Sequence, residues 1–294
     1  MKVTFWGTRG SIPSPGPDTV RYGGNTSCVE VRADGHVLIF DAGTGIRSLG
    51  LALAREFEDQ PLTVHLFISH THWDHIQGFP FFVPAYKPDT TIHVYGAPGQ
   101  GQSLEKVLRG QMEADYFPVG LCDMAARVDI HEFRAIPFDI GDVRVDAAHV
   151  NHPAMNLAYR VTWDGRRLVY ATDIEPYANT LDHVAGRGAD GRMFGEKLDR
   201  ELVEFAAGAD LHIADAQYTD DEYPAKIGWG HSSLTATVDL AISARVKTLA
   251  LFHHDPMHGD DVVSSMERTA RDSIAARGAD INCFAAAEGQ SLTL

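Results

Sequence analysis

The chain reads as an α/β fold, and three features of its sequence say so. Two segments, CVEVRADGHVLIF and LAYRVTWDGRRLVYATD, set an Asp-Gly pair between strand-like runs, at Asp34-Gly35 and Asp164-Gly165, which is the pattern of a β-hairpin. Five short, largely apolar runs, VLIF, HLFIS, LVYAT, LHIA and LALF, each stop at an Asp or a His: Asp41, His70, Asp173, Asp215 and His253. Between them, apolar residues recur at helical spacing. Such apolar runs suit strands buried on both faces, and in α/β sheets ligands gather beyond the carboxyl ends of the strands. The five polar ends are therefore expected to meet in one cleft.

In chain order, the first hairpin ends at Asp41, and Ile46, Leu49, Leu53 and Phe57 then form the stripe of a helix. HLFIS follows as a strand, and Leu104, Val107, Leu108 and Met112 mark a second helix. The second hairpin ends at Asp173 as the first ends at Asp41, a faint internal repeat that fits two related α/β halves. EKLDRELVEFAA is helix-like. Ser232 or Ser233 can cap a helix bearing Leu234, Val238, Ala241 and Ile242, and a last stripe runs through Val262, Met266, Ala270 and Ile274. Loops are expected at Pro13 to Asp18 and Gly186 to Gly195. No Ser/Gly/Pro linker interrupts the chain, so residues 1–294 are expected to form a single domain.

At 44% apolar and 22% charged residues, the composition is that of a soluble globular protein. Three scattered cysteines, Cys28, Cys122 and Cys283, support neither a disulfide framework nor a Cys-rich zinc site and fit a reducing compartment. Neither a secretory h-region nor a membrane-spanning apolar stretch is present, so a cytoplasmic protein with no membrane partner is expected. Against 25 Lys and Arg stand 40 Asp and Glu, a formal charge of −15. A surface so acidic disfavours general nucleic-acid binding unless metal ions reverse the field locally.

The strongest local signal is Ser69-His70-Thr71-His72-Trp73-Asp74-His75, directly after a strand. In extended chain, residues i and i+2 point the same way, so His70 and His72 can close on one cation, while Asp74 and His75, beyond the bend, can address a second. Imidazole and carboxylate donors without thiolate suit Zn²⁺ first, with Mn²⁺ or Fe also accommodated. Four ligand-type residues within six positions make a poor core segment, because His and Asp are rarely buried unpaired.

This stretch resembles the HxHxDH signature of the metallo-β-lactamase superfamily, and the chain as a whole looks like its phosphodiesterase branch, which includes ribonuclease Z and bacterial cyclic-nucleotide phosphodiesterases. The likeness runs from FWGTRGSIP through GGNTSCVEV and LIFDAGTG to GHSS and HHDP. It implies a four-layer αββα sandwich with two mixed sheets and two divalent metal ions. By resemblance, His70, His72 and His152 hold one ion and Asp74, His75 and His253 the other, with Asp173 between. His152 is preferred to His149 for its place seven residues before the Tyr of the YR pair, and His253 to His254 because it follows the strand directly. Asp41 is implied as structural support of the metal loop. Asp215 and His231 match a proton-donating Glu-His pair, so Asp74, Asp215 and His231 carry the catalytic expectation.

His36, His65, His93, His131, His183, His212 and His258 have no motif around them and read as surface or core positions. Phe79, Phe82 and Tyr116, in aromatic-rich segments, could stack on a nucleobase or simply pack. The leading expectation is a dinuclear-metal phosphodiesterase acting on a small phosphodiester such as a cyclic nucleotide, with a homodimer implied by resemblance alone. One alternative is a ribonuclease Z-like endonuclease acting on tRNA 3′ ends. That family carries a basic Gly/Pro-rich arm, whereas Pro176 to Asp210 is mixed in charge. A second alternative is a metal-stabilised nucleotide-binding or sensor module without catalysis.

Overall fold

In the computed structural model, which describes residues 1–99, 101–132, 137–185 and 188–294, the strands form two seven-stranded sheets. β1 (Lys2–Gly7), β2 (Cys28–Ala33), β3 (His36–Phe40), β4 (Leu62–Ile68), β5 (Thr90–Gly96) and β6 (Arg127–Glu132) make most of the first sheet. β7 (Phe138–Ile140), β8 (Val143–Val150), β9 (Asn156–Trp163), β10 (Arg166–Ala171), β11 (Leu211–Asp215), β12 (Thr248–Phe252) and β13 (Asn282–Ala285) make the second, and β14 (Ser291–Thr293) returns to pair with β1. Each sheet is antiparallel through its hairpin and parallel beyond it: β3 to β6 run parallel in one, β10 to β13 in the other. The faint repeat in the sequence is thus a repeat of sheet topology.

Both hairpins turn as their Asp-Gly pairs require. Asp34 and Gly35 have φ of 50° and 75°, Asp164 and Gly165 of 49° and 70°, so both central residues of each turn are left-handed, as a two-residue hairpin demands. Seven helices are described: α1 (Ile46–Glu56), α2 (Trp73–Ile76), α3 (Leu104–Gly110), α4 (Tyr177–Ala185), α5 (Gly188–Ala206), α6 (Leu234–Ser243) and α7 (Asp260–Ala276). Ser233, rather than Ser232, caps α6, its Oγ accepting from the Ala236 N–H at 3.3 Å. Two expectations are corrected. The stripe of α7 runs through Val263, while Val262 faces solvent. The segment expected as a loop is helical from Gly188, Gly186 and Arg187 lying outside the described residues, because Gly195 brings α5 against the backbone of α4: a Cβ there would lie 2.6 Å from Ala178 Cα.

Three apolar clusters stack the layers. Phe5, Phe40, Phe67, Tyr159, Tyr170 and Phe252 fill the space between the sheets. Ile46, Leu49 and Leu53 of α1 seal the outer face of the first sheet, and Val238, Ala241, Met266 and Ala270 of α6 and α7 that of the second. The result is the predicted αββα sandwich. Cys28 and Cys283 are buried, Cys122 is exposed, and all three are free thiols. Among the described residues no helix is long and apolar enough to cross a membrane.

The site follows from how the strands end. Asp41, Asp173 and His253, immediately or shortly after β3, β10 and β12, have φ of 61°, 56° and 61°. Left-handed backbone costs a side-chain-bearing residue roughly 1–2 kcal/mol, so the fold accepts strain at three positions to turn these side chains across the strand ends.

Candidate metal centre

Two sets of ligand-type atoms converge along the strand ends. His70, which follows β4, lies with His72 and with His152 from beyond β8; Asp74 and His75 of α2 lie with Asp173 and His253. Within each set the donor atoms are within 4.8 Å of one another. His152 Nε2 is 3.1 Å from His72 Nδ1, and His253 Nε2 is 3.1 Å from Asp74 Oδ2. Asp173 joins the sets: Oδ2 is 3.6 Å from His70 Nε2, while Oδ1 is 3.3 Å from His75 Nε2 and 3.2 Å from His253 Nε2. His149 is exposed on β8, and His254 spends its Nε2 on the Ala286 carbonyl at 2.9 Å, so both lie apart from this convergence.

The donor set fits divalent cations. Nε2 of His70 and of His75 is buried and makes no hydrogen bond of good geometry, a costly arrangement unless another group takes the nitrogen. Burial and the neighbouring His75 push His70 well below its usual pKa, leaving a free lone pair. Burial also works against charge on His75, yet Asp173, Asp74 and Asp41 raise it well above the usual value. Three carboxylates around one imidazole call for positive charge, which a cation supplies better than a proton.

The supporting groups are as ordered as the donors. Asp41, wholly buried, accepts from the Ser69 N–H at 2.7 Å, the Ser69 hydroxyl at 2.8 Å, the Tyr170 hydroxyl at 2.7 Å and His75 Nδ1 at 2.7 Å. It thereby fixes the metal loop and the tautomer of His75. His253 Nδ1 donates to Gln217 Oε1 at 2.8 Å, and His152 Nδ1 to the Gly230 carbonyl at 2.9 Å. The GTRGS segment closes the site from the other side: Ser11 N–H donates to Asp74 Oδ2 at 2.8 Å, and buried Arg9 binds the Gly23, Asp255 and His258 carbonyls.

Asp215 reaches His231 despite its short side chain, Oδ2 lying 2.8 Å from Nδ1. Its other oxygen accepts from Gln217 N–H at 3.0 Å and Ser232 N–H at 3.2 Å, so the carboxylate is held in place. His231 Nδ1 is also 4.0 Å from Asp173 Oδ2, which puts the pair beside the metal donors. Burial opposes charge on His231, but Asp215, Asp173 and Asp74 together outweigh it and raise the ring to about 9.

Three aromatic expectations fare differently. Phe79 and Phe82 are wholly buried beneath α1, where Phe82 packs against Gly50, and are unavailable to a base; a 3₁₀ turn aims both at the core. Tyr116 is exposed. Sequence reasoning passed over Trp73 and Trp229, which are 79% and 56% exposed. Trp73 stands between His72 and Asp74, and Trp229 between two glycines, the second of which backs His152. An indole placed next to a ligand motif was the available signal. Glu175 and Gln217 carried no pattern of their own.

Residues 36–254 match the family model described as a beta-lactamase superfamily domain. The chain is 30% identical to ribonuclease Z of Methanothermobacter thermautotrophicus, with 86% of each chain covered. Among solved structures it resembles the short form of human tRNase Z (TM-score 0.64, 20% identity, 100% of this chain and 99% of that one). It also resembles a diphosphatase of the PhnP family (TM-score 0.64, 18% identity, 100% and 97%). With its fold, its His/Asp donor clusters and these relatives together, the chain belongs to the beta-lactamase superfamily, as a metal-dependent, ribonuclease Z-like hydrolase of phosphodiester bonds.

Proposed function

We propose that the chain hydrolyses a small nucleotide phosphodiester, a cyclic nucleotide being the simplest such substrate, at a two-metal centre. The observation that carries this reading is Asp173, on which both donor sets and the His231–Asp215 pair converge. His70, His72 and His152 would hold one divalent ion and Asp74, His75 and His253 the other, with Asp173 shared and zinc the first candidate. Bound there, such ions supply Lewis acidity, making water nucleophilic near neutral pH and offsetting charge on the phosphoryl oxygens. His231, tied through Nδ1 to Asp215, whose carboxylate favours the charged ring, keeps Nε2 to protonate the leaving oxygen. Trp73, and Trp229 on the ring face away from Lys226, whose Nζ lies 3.9 Å from the ring centre, offer π-faces to a base.

Small size is supported by the charge of −15 and by the 176–210 region, which carries the helices α4 and α5 where the resemblance sets a basic arm. The name of the relatives, ribonuclease Z, supports a second reading in which the scissile bond belongs to RNA. It narrows the expectation against nucleic acid to indiscriminate coating. Metal content and turnover of cyclic nucleotides, bis(p-nitrophenyl) phosphate and a precursor tRNA, measured side by side, test the proposal. Cleavage of the precursor alone would replace it with the endonuclease reading, and nucleotide binding without turnover by metal-loaded protein with the sensor reading.

A further inference from the structure

Two residues beyond Asp173 sits a carboxylate that the chemistry above does not use. Glu175 is 1% exposed and, among the described residues, has no cationic partner. A carboxylate is expensive to bury unless its oxygens are satisfied, and all of its partners come from one place. Oε1 accepts from the Tyr223 hydroxyl at 2.9 Å and the Gly228 N–H at 2.8 Å; Oε2 accepts from the Gly228 N–H at 3.0 Å and the Gly230 N–H at 2.8 Å. The two N–H groups point inward together because Gly228 and Gly230 have φ of 89° and 88°, a backbone shape that makes an anion-binding concavity and excludes most other residues.

The gripped loop leads directly into the site. The Gly230 carbonyl holds His152 Nδ1, and the next residue is His231. A Cβ on Gly230 would lie 2.3 Å from His152 Nδ1, so the loop has no slack on that side. On its own segment Glu175 is tied to the approach of His152: its N–H donates to the Asn151 carbonyl at 3.0 Å, and Asn151 Nδ2 donates back to the Glu175 carbonyl at 3.0 Å.

We propose that Glu175 is a positioning residue: by clamping the 228–230 loop it sets His231 at the angle from which Nε2 meets the leaving oxygen. This rests on the reading of His231 as proton donor. A clamp that acts through His231 matters in proportion to how much the leaving group needs a proton, whereas a residue that merely packs affects all substrates alike. Glu175→Gln keeps the volume but presents an amide to the glycine N–H groups, and Tyr223→Phe removes one bond to Oε1, together with the one its hydroxyl accepts from Asn179 Nδ2, with less risk to folding.

The test measures kcat for a series of bis-aryl phosphates from p-nitrophenyl to phenyl, with metal content, in wild type, Glu175→Gln, Tyr223→Phe and His231→Ala. Expected for Glu175→Gln is full metal content, a loss of ~10–100-fold on the phenyl ester and little change on the p-nitrophenyl ester, with Tyr223→Phe smaller in the same direction and His231→Ala larger. Wild-type rates throughout, an equal loss on every ester, or loss of metal from both Glu175→Gln and Tyr223→Phe, beside a steep His231→Ala, would overturn the clamp alone. A His231→Ala loss that ignores the leaving group would overturn the proton-donor reading and the clamp with it.

Discussion

Gly10 lacks a side chain because of His253: a Cβ there would lie 2.4 Å from the imidazole, which Gln217 prevents from turning aside. Gly10→Ala should therefore displace a donor and weaken metal binding ~10–100-fold, read by metal titration in a competing chelator. Direct removal of donors separates two roles. His72→Ala should abolish both metal loading and turnover, whereas His231→Ala should leave metal content intact and lower kcat on alkoxide-leaving substrates by ~10²–10⁴-fold. His70, His72, Asp74 and His75 were legible because their order in the HTHWDH loop is local, whereas His152 and His253 were reached as donors only through the resemblance. Gln217 and Glu175 were not, since each acts through contacts made in three dimensions, His253 being 36 residues from Gln217.

At the scale of elements, the strand ends could be read because burial on both faces leaves apolar runs, and polarity marks where each one stops. The α5 start could not, since glycines that permit close helix packing look the same in sequence as glycines that make loops. A row of histidines shows the same blindness. His36, His65, His93 and His131 stand on neighbouring strands β3 to β6, their rings 5.6, 5.3 and 5.6 Å apart; register sets His65 opposite His93, while His36 and His131 lie two positions out of register on the same face. Asp129, Arg127 and Tyr95 flank the row. Burial first, then His93, His36 and His131, lower His65 from 6.5 to about 4.

The unfolded chain thus binds a proton at this position between those values while the folded one does not. Stability from His65 is full above the unfolded pKa and falls as pH drops through the window. His65→Phe, which keeps an aromatic ring on the face of Phe67, should shrink the drop in urea midpoint between about pH 7 and about pH 5. On α2, Trp73→Ala should raise KM for a cyclic nucleotide by about tenfold with kcat nearly unchanged, the signature of lost uniform binding.

For the whole molecule, the two sheets divide the site between them. β3 and β4 lead into Asp41 and His70 to His75, while β8, β10, β11 and β12 lead into His152, Asp173, Asp215 and His253. A divalent ion held there would favour the native arrangement over the unfolded chain, so a strong chelator should lower Tm by several degrees and re-addition of a divalent cation should restore it, as followed by calorimetry. Fold class was legible at this scale from the doubled hairpin pattern. Which helix covers which face was not, because the apolar stripes of α1, α6 and α7 look alike in sequence and only packing assigns α1 to one sheet and α6 and α7 to the other.

The division has a mechanical side. Hydrophobic packing holds the sandwich shut along its middle, but at the catalytic rim the facing side chains are carboxylates and imidazoles that carry little cohesion of their own. A cation there would act as a rivet between two plates, and stripping it should let that rim gape first. Proteases would then be expected to nick metal-free protein near residues 69–75 or 151–153 before they reach the hairpin turns.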